Sequence, residues 1–135
     1  MNDRMLKVAF VCIENSNRSQ MAQAFAKLSG VPVEAYSAGS APSGKINPRA
    51  IQAMAELEYD LSKHESTSVD DLPTDEPLDA VVSMGCGDKC PWVPAKQRID
   101  WDIPDPREMD PDEFRVVRDT IREKVTALMN ELSDK

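Results

Sequence analysis

The sequence predicts an α/β fold, a parallel sheet covered by helices, and three observations lead there. Short apolar runs alternate with helix-forming segments along the chain. Two of the helix-like segments open on Asn-Pro or Asp-Pro, the N-cap and first-turn signals of a helix. The length of 135 residues suits one domain, residues 1–135, which can bury roughly two thirds of its unfolded surface around one core. No repeat or low-complexity tract breaks the pattern.

Val8 to Val11 forms the first strand, inside the apolar run Leu6 to Cys12. Ser19 to Leu28 follows as a helix carrying Gln20, Met21, Ala22, Ala24, Phe25 and Ala26, and Gly30 ends it. Val33 to Ala38 is a second strand and Gly39 to Lys45 a loop. Asn47 caps, and Pro48 opens, a second helix running to about Glu58. Residues 65–79, polar and acidic with Pro73 and Pro77, read as a surface loop with at most one helical turn. Ala80 to Met84 supplies the third strand and Arg98 to Trp101 a short fourth. Asp110, Pro111 and Glu113 mark the last helix as N-cap, first-turn proline and capping-box partner. Its Phe114, Val117, Ile121, Val125, Leu128 and Leu132 recur at spacings of three and four, which places all six on one face, packed along the sheet.

A hydrophobic fraction of 41% and a charged fraction of 30% are those of an ordinary soluble protein rather than a disordered or membrane-embedded one. With 16 basic against 24 acidic residues, the net charge of -8 repels phosphate backbones. No nucleic-acid partner is expected, and an anionic substrate must be small and locally attracted. The early apolar run is too short for a signal-peptide core with its flanks and leads straight into Glu14, Asn15 and Ser16. The expected compartment is therefore the reducing cytoplasm, away from the membrane. One free cysteine there would be an ordinary small core residue, but three together invite redox, nucleophilic or metal chemistry.

The chemical centre is the run Cys12-Ile13-Glu14-Asn15-Ser16-Asn17-Arg18-Ser19, between the first strand and the first helix. In such a loop the backbone N–H groups join the helix N-terminus in cradling a tetrahedral oxyanion, and Arg18 offers a planar fork to two of its oxygens. The same positive potential favours Cys12 as the thiolate, the nucleophilic form. Asn15 is suited to a left-handed backbone conformation that braces the loop, and the Ser19 hydroxyl to a hydrogen bond with the thiolate. Cysteine and arginine at this spacing recur by chance in many chains. The preceding apolar strand, the following serine and the immediate helix make the combination specific.

At this point the chain resembles the low-molecular-weight protein tyrosine phosphatase family. Cys12, Asn15, Ser16, Arg18 and Ser19, followed by Gln20-Met21-Ala22, are most similar to its arsenate reductase branch. Five more segments follow in the same order. Tyr36 to Gly39 resembles that branch's second strand and turn, and Asn47-Pro48 with Ala50 the start of its second helix. Val81 to Cys86 and on to Cys90-Pro91 resembles its redox segment, Trp101 to Asp105-Pro106 its acid loop, and Phe114 to Arg118 its last helix. The resemblance implies a four-stranded parallel sheet flanked by helices, a three-layer sandwich with the anion loop at the strands' carboxyl ends. It also implies the reduction of arsenate to arsenite, for arsenic detoxification, by a monomer that needs no cofactor.

On the same resemblance, Cys12 attacks arsenate, Asp105 protonates the departing oxygen, Cys86 attacks Cys12 to release arsenite, and Cys90 resolves the disulfide. Cys86 and Cys90 follow the third strand, at the same end of the sheet as Cys12, and Gly85 and Gly87 lend that segment mobility. Phosphate or sulfate should occupy the loop as analogues of arsenate. Thioredoxin is the expected electron donor. Glutaredoxin with glutathione, or another low-molecular-weight thiol, is the alternative, because the three residues between Cys86 and Cys90 are fewer than is common in thioredoxin-coupled relatives.

Asp105 stands in Trp101-Asp102-Ile103-Pro104-Asp105-Pro106, where prolines stiffen the loop, with Asp100 and Asp102 as neighbouring competitors for its role. His64, the one histidine, is expected in a structural hydrogen bond. A zinc set of Cys12, His64, Cys86 and Cys90 lacks a second closely spaced pair, and no metal is expected. Some arsenate reductases of this type hold a monovalent cation, but Gln23 and Thr67 stand where its acidic ligands would be. Trp92 and Trp101 are expected beside the redox segment. The rival activity is a tyrosine phosphatase using Cys12, Arg18 and Asp105 through a cysteinyl-phosphate. Against it, Arg107 stands where those enzymes place an aromatic residue, and they have no use for Cys86 and Cys90. A thiol redox sensor, in turn, would not require Arg18 and Asp105 around one site.

Overall fold

The computed structural model describes residues 5–15, 17–72, 77–84, 93–106 and 108–133. Its strands are β1 (Leu6–Cys12), β2 (Val33–Gly39), β3 (Ala80–Met84) and β4 (Arg98–Trp101). Its α-helices are α1 (Arg18–Leu28), α2 (Pro48–Ala55) and α3 (Pro111–Ser133), and single 3-10 turns occur at Leu61–Lys63 and Val69–Asp71. The sheet has the order β2-β1-β3-β4, and every pairing in it is parallel. β1 is thus central, and the loop after Cys12 opens at the carboxyl edge of the sheet, where ligands of open α/β sheets bind.

Successive side chains of β1 face opposite sides of the sheet, and each side is covered. Val8, Phe10 and Cys12 pack with residues of α1, α2 and α3, among them Met21, Phe25, Met54, Phe114 and Ile121. Ala9 and Val11 pack on the far face with Ala38, Val69, Leu72, Leu78, Val81 and Val93. The far layer corrects one expectation. Residues 65–79 are not simply a surface loop, because Val69, Leu72, Leu78 and Asp79 are buried against the sheet. Polar composition hid this, since the apolar residues there come singly rather than in a run. Asp79 is buried because the Lys7 N–H donates to its carboxylate at 2.8 Å, while its own N–H donates to Lys7 O at 2.8 Å.

The helix ends follow from their caps. Asn47 accepts the N–H of Arg49 at 2.9 Å with Pro48 in the first turn, and Asp110 accepts the N–H of Glu113 at 2.9 Å. α2 stops at Ala55, earlier than the predicted Glu58, because Glu58 takes a positive φ of 64° that turns the chain. All six residues of the predicted α3 stripe are buried. Trp101 packs on Phe10 with ring centroids 6.2 Å apart. Among the described residues no helix is long and apolar enough to cross a membrane.

Candidate active site

Cys12 ends β1 almost fully buried, with its Sγ 2.9 Å from Ser19 Oγ and 3.3 Å from the N–H of Asn15. The loop's shape explains that N–H. The carbonyls of Cys12, Ile13 and Glu14 accept from the N–H groups of Ser40, Ala41 and Ser43 at 3.2, 2.8 and 3.0 Å. In a trans peptide the N–H points away from the carbonyl, and no peptide described here is cis. Tethering three successive carbonyls outward therefore turns the N–H groups of Ile13, Glu14 and Asn15 to the opposite, inward side of the loop, where that of Asn15 meets the sulfur. Such a row of inward N–H groups ahead of a helix N-terminus is an oxyanion cradle.

Asn15 makes this turn by adopting φ 52°, the left-handed conformation that asparagine tolerates. Its side chain is held on both ends. Asn15 Nδ2 donates to Ser19 Oγ at 2.7 Å, and Asn15 Oδ1 accepts from the Thr67 N–H at 2.7 Å and from Gln20 Nε2 at 2.9 Å. Gln20 Oε1 in turn faces His64 Nδ1 at 2.9 Å, and Tyr59 OH meets His64 Nε2 at 2.6 Å. With His64 neutral and protonated at Nδ1 and Cys12 as the thiolate, the donors run in one direction: Tyr59 to His64, His64 to Gln20, Gln20 to Asn15, Asn15 to Ser19, and the Ser19 hydroxyl to Cys12 Sγ. A chain of this polarity reinforces each link and stabilises negative charge on the sulfur. His64 thus serves a structural hydrogen bond as expected, and with both ring nitrogens engaged it is not placed to ligate a metal. Burial, with the charge of Lys27 after it, pushes His64 down to about 4, so the imidazole in this chain is neutral.

Arg18 opens α1 almost fully buried. Its Nη1 donates to the carbonyl of Ile103 at 2.9 Å, and its Nη2 lies 3.9 Å from Asp105 Oδ2. Arg18 Nε is buried with no hydrogen-bond partner among the described residues. A buried guanidinium N–H without an acceptor is costly, and a bound oxyanion is the acceptor this position suits. Asp105 therefore stands beside the loop, as its sequence position predicted. Asp100 is engaged elsewhere, accepting from Ser83 Oγ at 2.8 Å. Asn17 caps α1 by accepting the Arg18 N–H, and its Nδ2 reaches Asp105 Oδ1 at 3.4 Å. Gln23 holds Ala35 O and Ser37 Oγ with its amide at 2.8 and 2.6 Å.

Ser16, Cys86, Cys90, Trp92 and Arg107 lie outside the described residues. Three contributors have site roles that the sequence did not disclose: Gln20 as the link between Asn15 and His64, the carbonyl of Ile103 as the anchor of Arg18, and Gly39 as the point where β2 meets the loop. A Cβ on Gly39 would stand 2.5 Å from Ile13 O and 3.0 Å from Asn15 N, so only glycine lets β2 approach the loop.

A family model described as low molecular weight phosphotyrosine protein phosphatase matches residues 7–135. The chain belongs to this family. Within the low-molecular-weight phosphatase family its relatives include the glutaredoxin arsenate reductase of Synechocystis sp., 37% identical over 132 residues, which are 96% of this chain and 100% of that one. A solved structure of an arsenate reductase in the phosphate binding state has a TM-score of 0.84 at 37% identity, covering 94% of this chain and 98% of that one. The thioredoxin-dependent arsenate reductase of Corynebacterium glutamicum has a TM-score of 0.78 at 29% identity, covering 98% of this chain and 64% of the other. The four-stranded parallel sheet with flanking helices is the low-molecular-weight phosphatase fold that these reductases share.

Proposed function

We propose that this chain is an arsenate reductase in which Cys12 is the nucleophile and Arg18 with the inward N–H groups of the loop holds the oxyanion. The single observation that carries the reading is the buried Arg18 Nε, without a partner among the described residues, beside a cysteine already in contact with Ser19 and Asn15. Relatives named as arsenate reductases, similar over nearly the full chain, support arsenate over a phosphate ester.

In the proposed reaction, Cys12 thiolate forms a bond to arsenic while an arsenate oxygen leaves as water, protonated by Asp105. Cys86 thiolate then attacks Cys12 Sγ. The sulfur–arsenic bond breaks with its electron pair remaining on arsenic, so arsenic(V) becomes arsenic(III) and Cys12-Cys86 becomes the disulfide. Cys90 attacks Cys86, freeing Cys12 as thiolate and leaving Cys86-Cys90; an external dithiol reduces that disulfide and is itself oxidised, replacing the two electrons that left with arsenite. Thioredoxin fits that last step, because Cys90 leaves a disulfide within one segment; the name of the Synechocystis relative favours glutaredoxin. The relay needs free thiols, so we assign it to the reducing cytoplasm; its three cysteines all come from one chain, and we propose that a monomer suffices for it.

The test is arsenite formation by the purified, reduced chain supplied with arsenate and either thioredoxin with its reductase or glutaredoxin with glutathione. One arsenite should form per donor disulfide. Arg18→Ala removes both the fork and its charge, and a loss of about 10²–10³ in turnover is expected. Hydrolysis of an aryl phosphate without arsenite formation would overturn the reading in favour of a phosphatase.

A further inference from the structure

We infer that Asn17 is a positioning residue for the general acid, joining the anion loop to the acid loop; this rests on the proposed role of Asp105. Asn17 is 4% exposed and uses both ends of one planar amide. Its Oδ1 accepts the Arg18 N–H at the start of α1, which settles which end is oxygen and leaves Nδ2 as the end that meets Asp105 Oδ1 at 3.4 Å. The cap thereby fixes the direction of the donor. Catalytic hydrogen bonds are often long before substrate binds, and this one is of that kind.

Residue type matters here. Serine, threonine, aspartate and asparagine all cap helices well, but only asparagine adds an N–H donor beyond the capping oxygen. Arg18, the next residue, holds the same loop at Ile103 O and lies 3.9 Å from the other Asp105 oxygen. Consecutive residues of the anion loop thus address both carboxylate oxygens. When Asp105 gives its proton to the departing oxygen, the carboxylate it becomes is met by the Asn17 amide and the Arg18 guanidinium. Asp105 is 42% exposed at its side chain, so the amide is one of the contacts that keep its carboxyl turned to the loop.

Asn17→Ser separates this role from capping, because serine keeps an oxygen for the Arg18 N–H and ends short of Asp105. The measurement is single-turnover arsenite release by the reduced chain at saturating arsenate, with sulfate affinity and thermal stability recorded alongside. Stability and sulfate affinity should stay near wild type while release slows about tenfold, part of the 10²–10⁴ that a placed general acid contributes. In an Asp105→Asn background the same substitution should cost nothing more, since the interaction it removes is already gone. Equal losses in both backgrounds, or full-rate release by Asn17→Ser, would overturn the inference. Full-rate release by Asp105→Asn alone would instead overturn the role of Asp105. Should the serine variant misfold, Asn17→Thr likewise keeps a capping oxygen while removing the amide donor, and the same comparison applies.

Discussion

Gly39 illustrates how closely individual atoms set the site. A methyl group there meets the backbone of Ile13 and Asn15 rather than a flexible side chain, so the loop itself must move. Gly39→Ala should cost about 1–3 kcal/mol of stability through overpacking, and sulfate affinity should fall with it as the inward N–H groups are displaced. Calorimetry of sulfate binding to the folded variant checks this; wild-type affinity would show that the loop yields without losing its shape. His64 makes a second prediction at this scale. Its folded value of about 4 lies below the ordinary 6.5, so between those values the unfolded chain binds more protons. Stability therefore falls as pH drops from about 6.5 toward 4, by the linkage between proton uptake and unfolding. Denaturation at pH 7 and pH 5 should show a smaller loss in His64→Gln than in the wild type, and equal losses in the two proteins would contradict the assignment.

At the scale of elements, the strands and helices were legible wherever one residue type dominates locally. The apolar runs marked β1 and β3, and the caps Asn47 and Asp110 marked two helix starts within a residue. The three-four spacing exposed the buried face of α3 because periodicity needs no knowledge of the partner. Residues 65–79 were harder: Val69, Leu72 and Leu78 pack on the far sheet face from separate positions, and only the tertiary fold brings them together. The packing of α3 carries its own prediction. Ile121 is fully buried in the cluster with Phe114, Met129 and Val125, so Ile121→Ala should destabilise the chain by about 2–5 kcal/mol. Exposed Val116 on the opposite face is the control, where alanine should change stability by no more than about 0.5 kcal/mol. Similar effects at both positions, in urea unfolding, would mean that α3 does not dock by this stripe.

For the whole molecule, chemistry comes from topology. A central strand, a loop and a helix place Cys12 and Arg18 within one cradle, and the loop after β4 brings Asp105 to the same edge of the sheet. Those three residues were readable because cysteine, arginine and aspartate stand next to strand ends in the sequence. The supporting chain from Asn15 through Gln20 to His64 was not, since it joins residues 44 apart by hydrogen bonds that no local pattern encodes. The central claim is that this edge spends two protein thiols to reduce one arsenate. Peptide mapping and arsenite determination, after the fully reduced chain meets one equivalent of arsenate without any electron donor, test it most directly. One arsenite per chain, a free Cys12 and a Cys86-Cys90 disulfide are expected, with Cys12-Cys86 accumulating instead in Cys90→Ser. Three thiols remaining reduced and no arsenite formed, or arsenite formed by Cys12→Ser, would contradict it.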